Sequence, residues 1–224
     1  MIDQLVTANV ATNLYWLGRY LERTEATLHK ILKAYDKIID VKKEAGEDLY
    51  KKFDIKLKYE NANDFLYQAI LGEHGANLLE IMSNARESAI ICRHRIDSAA
   101  FGEIIELHAL FTGIEKNKIE IDYKLIDHAH SLLSEIWGAL SKREHKNKNR
   151  SDLFFRMGKL VEKADFRLRF NKDETVTMRV IKEIDDIVKK LSDDEASQES
   201  SKKRDKKVDL LSEVNKKIDA VIVE

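Results

Sequence analysis

Apolar residues recur along most of the chain at spacings of three, four and seven, the period of helices that turn one face to a core. Between about Thr7 and Val41 the stripe is Leu14, Leu17, Leu21, Leu28, Leu32 and Tyr35. It predicts one long helix. Thr12-Asn13 could cap a shorter version, but Val6 and Val10 keep the period upstream and move the start earlier. Residues 42 to 62 hold Leu49, Tyr50, Phe53, Ile55 and Leu57 without a sustained period, as expected of a connection with a short helix. Asn63-Asp64 is read as opening a helix through Leu71, which Gly72 to Gly75 should end by supplying positive φ. A second long helix follows from about Ala76 past Met82, Ala85, Ala89, Cys92 and Ile96. It either bends near Asp97-Ser98 or runs on through Phe111, with Thr112-Gly113 as its stop. From Ile119 to Lys142 a further face carries Ile121, Leu125, Leu132, Ile136 and Leu140. The polar and basic run at 142 to 150 reads as a connector. Ser151-Asp152 should cap a helix with Phe154, Phe155, Met157, Leu160, Val161 and Leu168, and Asp173 should begin another through Leu191.

Composition sharpens this into an all-α class. In 224 residues there is no proline and there are 8 glycines, which disfavours a turn-rich β-fold. The expected architecture is a bundle of about six or seven helices. Residues 1 to 191 form the domain. Residues 192 to 207 contain no large apolar side chain and are expected to be a flexible linker. Val208, Leu211, Val214, Ile218 and Val221 then form the narrow stripe of a short amphipathic helix or tail. Lys plus Arg number 39 against 40 for Asp plus Glu, so a polyanion partner such as nucleic acid is not expected. The single Cys92 forms no internal disulfide, no secretion signal opens the chain and no apolar run approaches membrane-spanning length. A cytoplasmic protein without membrane attachment is the expectation.

A shift of 140 residues lays LYWLGRYLERTEATL at 14 to 28 on FFRMGKLVEKADFRL at 154 to 168. Gly18 falls on Gly158, Glu22 on Glu162 and Leu28 on Leu168. Tyr15 meets Phe155, Arg19 meets Lys159, Arg23 meets Lys163 and Glu25 meets Asp165. Two amphipathic helices align tolerably by chance, but the shared order of glycine, base, aliphatic, glutamate and base exceeds what binary patterning requires. An internal repeat related by an approximate twofold is expected.

The same residues carry a family resemblance. Leu14 to Glu25, NARESA at 84 to 89 and LFFRMGKLVEKADFRLR at 153 to 169 resemble the bacterial alpha-E family, a helical domain named for its Glu-Arg motif. The third block departs from it, with Lys159 and Lys163 where arginine is usual. A role there that needs a planar guanidinium is therefore in doubt. The resemblance implies an accessory place beside ATP-grasp and transglutaminase-like proteins in peptide ligation or modification, with no activity established for the domain itself.

At 100° per residue, Tyr15, Gly18, Glu22, Glu25 and His29 form one line bordering the apolar stripe. Trp16, Tyr20, Arg23 and Thr27 form another, where an arginine could lie on aromatic rings. Arg19, Glu22, Arg23, Glu25, Arg86, Lys159, Glu162, Lys163 and Asp165 are thus the candidates for a polar pocket or a buried ion-pair network. In the structural reading, Glu22 and Glu162 are held by Arg86, Lys163 or Arg19 and set helix register. For Glu22 the expected partners are Arg86 and Lys163. In the functional reading they bind charged groups of a peptide. The first suits a non-catalytic binding or scaffold domain, the second an enzyme acting on peptide or amide substrates. Homo-oligomerisation is left open. None of the seven histidines has Glu three residues before it, there is no HExxH, and Asp127-His-Ala-His130 is the nearest approach, so no metal is expected. No phosphate-binding glycine loop is present, so no nucleotide or other cofactor is expected. Cys92 sits in an apolar stripe, as an inert core thiol would.

Overall fold

In a computed structural model, residues 6–117, 119, 121–146, 150–191 and 216 are described, with the side chains of 142–146 left aside. Among them there are eight α-helices and no strand: α1 (Ala8–Asp40), α2 (Ala45–Tyr50, followed by a 3-10 turn at Lys51–Phe53), α3 (Ala62–Leu71), α4 (Leu78–Cys92), α5 (Ser98–Asn117), α6 (Tyr123–Lys146), α7 (Arg150–Arg169) and α8 (Glu174–Leu191). The protein is an all-α helical domain. No described helix is long and apolar enough to cross a membrane.

The chain forms two compact units. The first contains residues 1–19 and 147–224, so its described helices are the start of α1 together with α7 and α8. The second contains residues 20–146, and α1 runs from one into the other. In the first unit α7 packs on α8, burying Phe154, Met157 and Val161 with Val180, Ile184 and Ile187. In the second, α3 packs on α4, α4 on α5 and α5 on α6. Leu21, Leu28 and Ile31 of α1 are fully buried, as are Met82, Phe111 and Ile126. The linker expected at residues 192–207 and the short helix or tail expected at 208–224 lie outside the described residues, apart from Lys216.

Short polar side chains start the helices by accepting otherwise unpaired N–H groups. Asn61 accepts from Asp64 N at 3.0 Å, Asn77 from Glu80 N at 2.7 Å, Asp122 from Leu125 N at 2.8 Å and Asp173 from Val176 N at 3.1 Å. Asp173 caps as expected. Thr12 and Asn13 instead donate back to the carbonyls of Ala8 and Asn9, each at 2.8 Å, because the helix has already begun. Ser151 likewise lies inside α7, which starts at Arg150.

Several boundaries differ from the sequence reading. The alternatives near Asp97 resolve to a break at residues 93–97, where Asp97 accepts from Ala99 N at 2.9 Å and opens α5. Gly113 does not stop α5, which continues to Asn117 with the Thr112 hydroxyl turned back onto the His108 carbonyl. The basic run extends α6 to Lys146 rather than starting a connector at Lys142. Gly72 ends α3 without positive φ: its φ is −63° and its ψ 154°. Among the described residues the positive φ values belong to Asp54 and Asn171, residue types that tolerate the left-handed region. The α3 terminus is closed instead by His74, whose ring Nε2 stands 2.9 Å from the Gln68 carbonyl while its Nδ1 stands 3.3 Å from Ala76 N. An amide N–H can only donate, so Nδ1 accepts and Nε2 carries the hydrogen.

Candidate functional site

The best-defined part of the candidate site lies in the first unit, where α1 and α7 approach through their glycines. A Cβ on Gly18 would overlap the Phe155 carbonyl oxygen and stand 2.9 Å from Lys159 N; a Cβ on Gly158 would overlap the Tyr15 carbonyl and lie 2.8 Å from its carbon. The contacts are reciprocal: Gly18 meets the backbone of Phe155, and Gly158 meets that of Tyr15. Backbone cannot rotate away as a side chain can, so both positions require the absence of a side chain.

This close crossing carries the ion pair one turn further along. Arg19 Nε donates to Glu162 Oε2 at 3.0 Å, with side-chain exposures of 16% and 1%. Arg19 also places its guanidinium 4.9 Å from the centre of the Trp16 ring and 5.9 Å from that of Tyr15, while the two rings meet edge to face at 5.6 Å. Burial alone would lower the Arg19 pKa, but the Glu162 carboxylate and the Tyr15 phenol oxygen outweigh it and hold it above its ordinary value. The planar guanidinium thus serves a carboxylate along its edge and an indole over its face, which an ammonium could not do equally well.

Other candidates have contacts of their own. Arg86 pairs with Glu87 on its own helix at 2.5 Å, and Lys163 is exposed on α7. Asp165 pairs with Arg169 one turn on at 3.1 Å. Glu22, Arg23, Glu25 and Lys159 are half-buried. Arg19 lies on the rings of Tyr15 and Trp16, which stand four and three residues before it. Thr27, placed on that polar line, is instead buried, as is Thr24, whose hydroxyl donates to the Tyr20 carbonyl at 2.9 Å and contacts Met82 Sδ at 3.4 Å. A threonine that satisfies its hydroxyl within its own helix can occupy an apolar face.

The chain matches the family model of Alpha-E, described as a predicted alpha-helical domain with a conserved ER motif, over residues 6–186. It belongs to the Alpha-E family. Neither the curated proteins nor the solved structures compared with it give a match. In this Alpha-E domain Glu22-Arg23 stands on α1, and on α7 Glu162 is followed by Lys163. The guanidinium that holds Glu162 is Arg19, four residues before Arg23. Cys92 is buried and its thiol is pushed up to about 12 by burial, which disfavours thiolate chemistry. Among the described residues no three His, Cys, Asp or Glu side chains stand together as a metal-binding group. A cleft of about 320 Å³ opens in the second unit between Asn61, Asn63, Asp64 and Tyr67 on one side and Ile119 and Ile121 on the other. None of the nine candidate residues lines it.

Proposed function

We propose that this Alpha-E domain is a non-catalytic binding or scaffold module, accessory to an ATP-grasp or transglutaminase-type peptide ligation or modification system in the cytoplasm. The observation that favours it over an enzyme is the state of Glu162: the carboxylate is 1% exposed and already engaged by Arg19. A general acid or base must reach the proton it moves, and a carboxylate closed by a guanidinium and buried side chains is committed to structure. Trp16 remains 36% exposed beside Arg19, and tryptophan and arginine are the side chains that most often anchor protein interfaces.

The reading is tested by affinity capture of the full chain from native extract, with Trp16→Ala and Glu162→Gln variants alongside. Recovery of an ATP-grasp or transglutaminase-like protein, lost in Trp16→Ala at unchanged melting temperature, is the expected result. Capture of neither, or turnover of a peptide amide by the isolated domain that is abolished in a folded Glu162→Gln, overturns it.

A further inference from the structure

We propose that His29 on α1 and His130 on α6 form a two-imidazole site for a borderline divalent transition-metal ion of the Zn²⁺, Ni²⁺ and Cu²⁺ class. Both residues belong to the second unit. Their ring centres are 6.4 Å apart and the rings stand at 87° to each other. With metal–nitrogen bonds of about 2.0–2.1 Å, two imidazoles sharing one ion have centres about 5 Å apart at a tetrahedral angle and about 6.4 Å apart in line. The observed separation is the wide end of that range. His29 is exposed and His130 half-buried, so rotation of the His29 ring can close the angle without moving either helix.

The surroundings define what kind of site this is. Imidazole binds metal only when neutral. Glu25, one turn before His29 on the same face of α1, can supply an oxygen by changing rotamer. On the same helix Lys30 and Lys33 repel a cation, and among the described residues no three His, Cys, Asp or Glu side chains are already gathered here. The site is therefore open and reversible, with water in its other positions. Two nitrogen ligands and little oxygen select against Mg²⁺ and Ca²⁺ and follow the order in which Cu²⁺ binds tightest. Linear spacing could not expose it, because the two ligands come from different helices.

The test uses the untagged full chain. Calorimetric titration with NiCl₂ should give saturable binding near one ion per chain, weakened at least tenfold by His29→Ala and separately by His130→Ala. Lys33→Ala should tighten it, which binding at a surface histidine elsewhere would not show. Electron paramagnetic resonance with one equivalent of Cu²⁺ should display coupling to two imidazole nitrogens. Absence of saturable binding, binding unaffected by both alanine variants, or a spectrum with one nitrogen each overturns the proposal.

Discussion

The two units solve the same problem, holding helices together around polar atoms, with opposite chemistry. In the first, α1 and α7 come close enough at Gly18 and Gly158 for backbone contact, and the polar group in that crossing is a charge pair, Arg19 and Glu162. In the second, the corresponding buried corner is aromatic and neutral. Tyr50 is fully buried, with ring centres 6.2 Å from Phe65 and 5.0 Å from His74, and Phe65 stands 5.2 Å from Tyr59. Burial pushes the Tyr50 phenol far up, so it stays protonated. Charge pairs and neutral clusters fail differently. Removing half of a buried pair strands the other charge, whereas a neutral histidine corner fails by gaining a proton.

The largest expected effect comes from stranding the charge. Glu162→Gln leaves Arg19 without its counter-ion and should cost about 3–5 kcal/mol in denaturant unfolding. Glu162→Leu combined with Arg19→Met should recover much of that loss, because an apolar pair of similar volume needs no counter-charge. A loss below about 1 kcal/mol for the single variant would mean that the pair is solvated and the contrast between the units is false. Gly158→Ala comes next. Its methyl group would meet the Tyr15 carbonyl, and overpacking against backbone that cannot rotate aside should cost about 2–3 kcal/mol.

How much of this was legible in the sequence depends on whether the signal was local. The helices were visible from their stripes, and Gly18 and Gly158 stood out because they fell on one another at the 140-residue offset. The burial of Glu162 was only half visible: phase put it at the core edge, but which cation would reach it depended on how separate helices cross. Arg86 was a reasonable candidate, yet its side chain reaches Glu87 on its own helix. The Gly72 expectation failed because the turn closes through the His74 ring, an interaction that glycine statistics do not contain. Thr24 and Thr27 were hidden for a related reason, since residue type reads as polar while the hydroxyl of Thr24 is satisfied inside the helix. The equivalence of 14–28 and 154–168 remains our proposal, supported locally by the reciprocal glycine contacts.

The neutral corner yields a pH dependence whose sign is fixed by His74. Its pKa is lowered, first by burial, with the hydrogen bond to the Gln68 carbonyl working in the opposite direction. As pH falls, the unfolded chain takes up its proton first, near the ordinary value of 6.5. The contribution to stability is therefore complete above about pH 6.5 and is lost as pH falls to the folded pKa, below which nothing further is lost. His29 and His108 are lowered too and steepen the same slope. Stability measured at pH 5 should be below that at pH 7.5, and nuclear magnetic resonance titration should place the His74 ring midpoint below 6.5. A midpoint above that value would show that the ring is not held neutral.

The smallest effect is also the one with the opposite sign. Gly102 lies inside α5, is exposed, and has no heavy atom within 4 Å of where a Cβ would stand. Nothing there requires glycine, and in a helix interior glycine costs about 0.5–1 kcal/mol relative to alanine, mainly because the unfolded chain has more freedom to lose. Gly102→Ala should therefore stabilise the protein by about that amount, visible as a rise of a few degrees in melting temperature. The same substitution at Gly158 should lower it. If both changes stabilised the chain, α1 and α7 would have room between them and the close crossing that carries the Arg19–Glu162 pair would not exist. If both destabilised it, the second unit would contain a glycine-dependent contact at α5 that its open surroundings argue against.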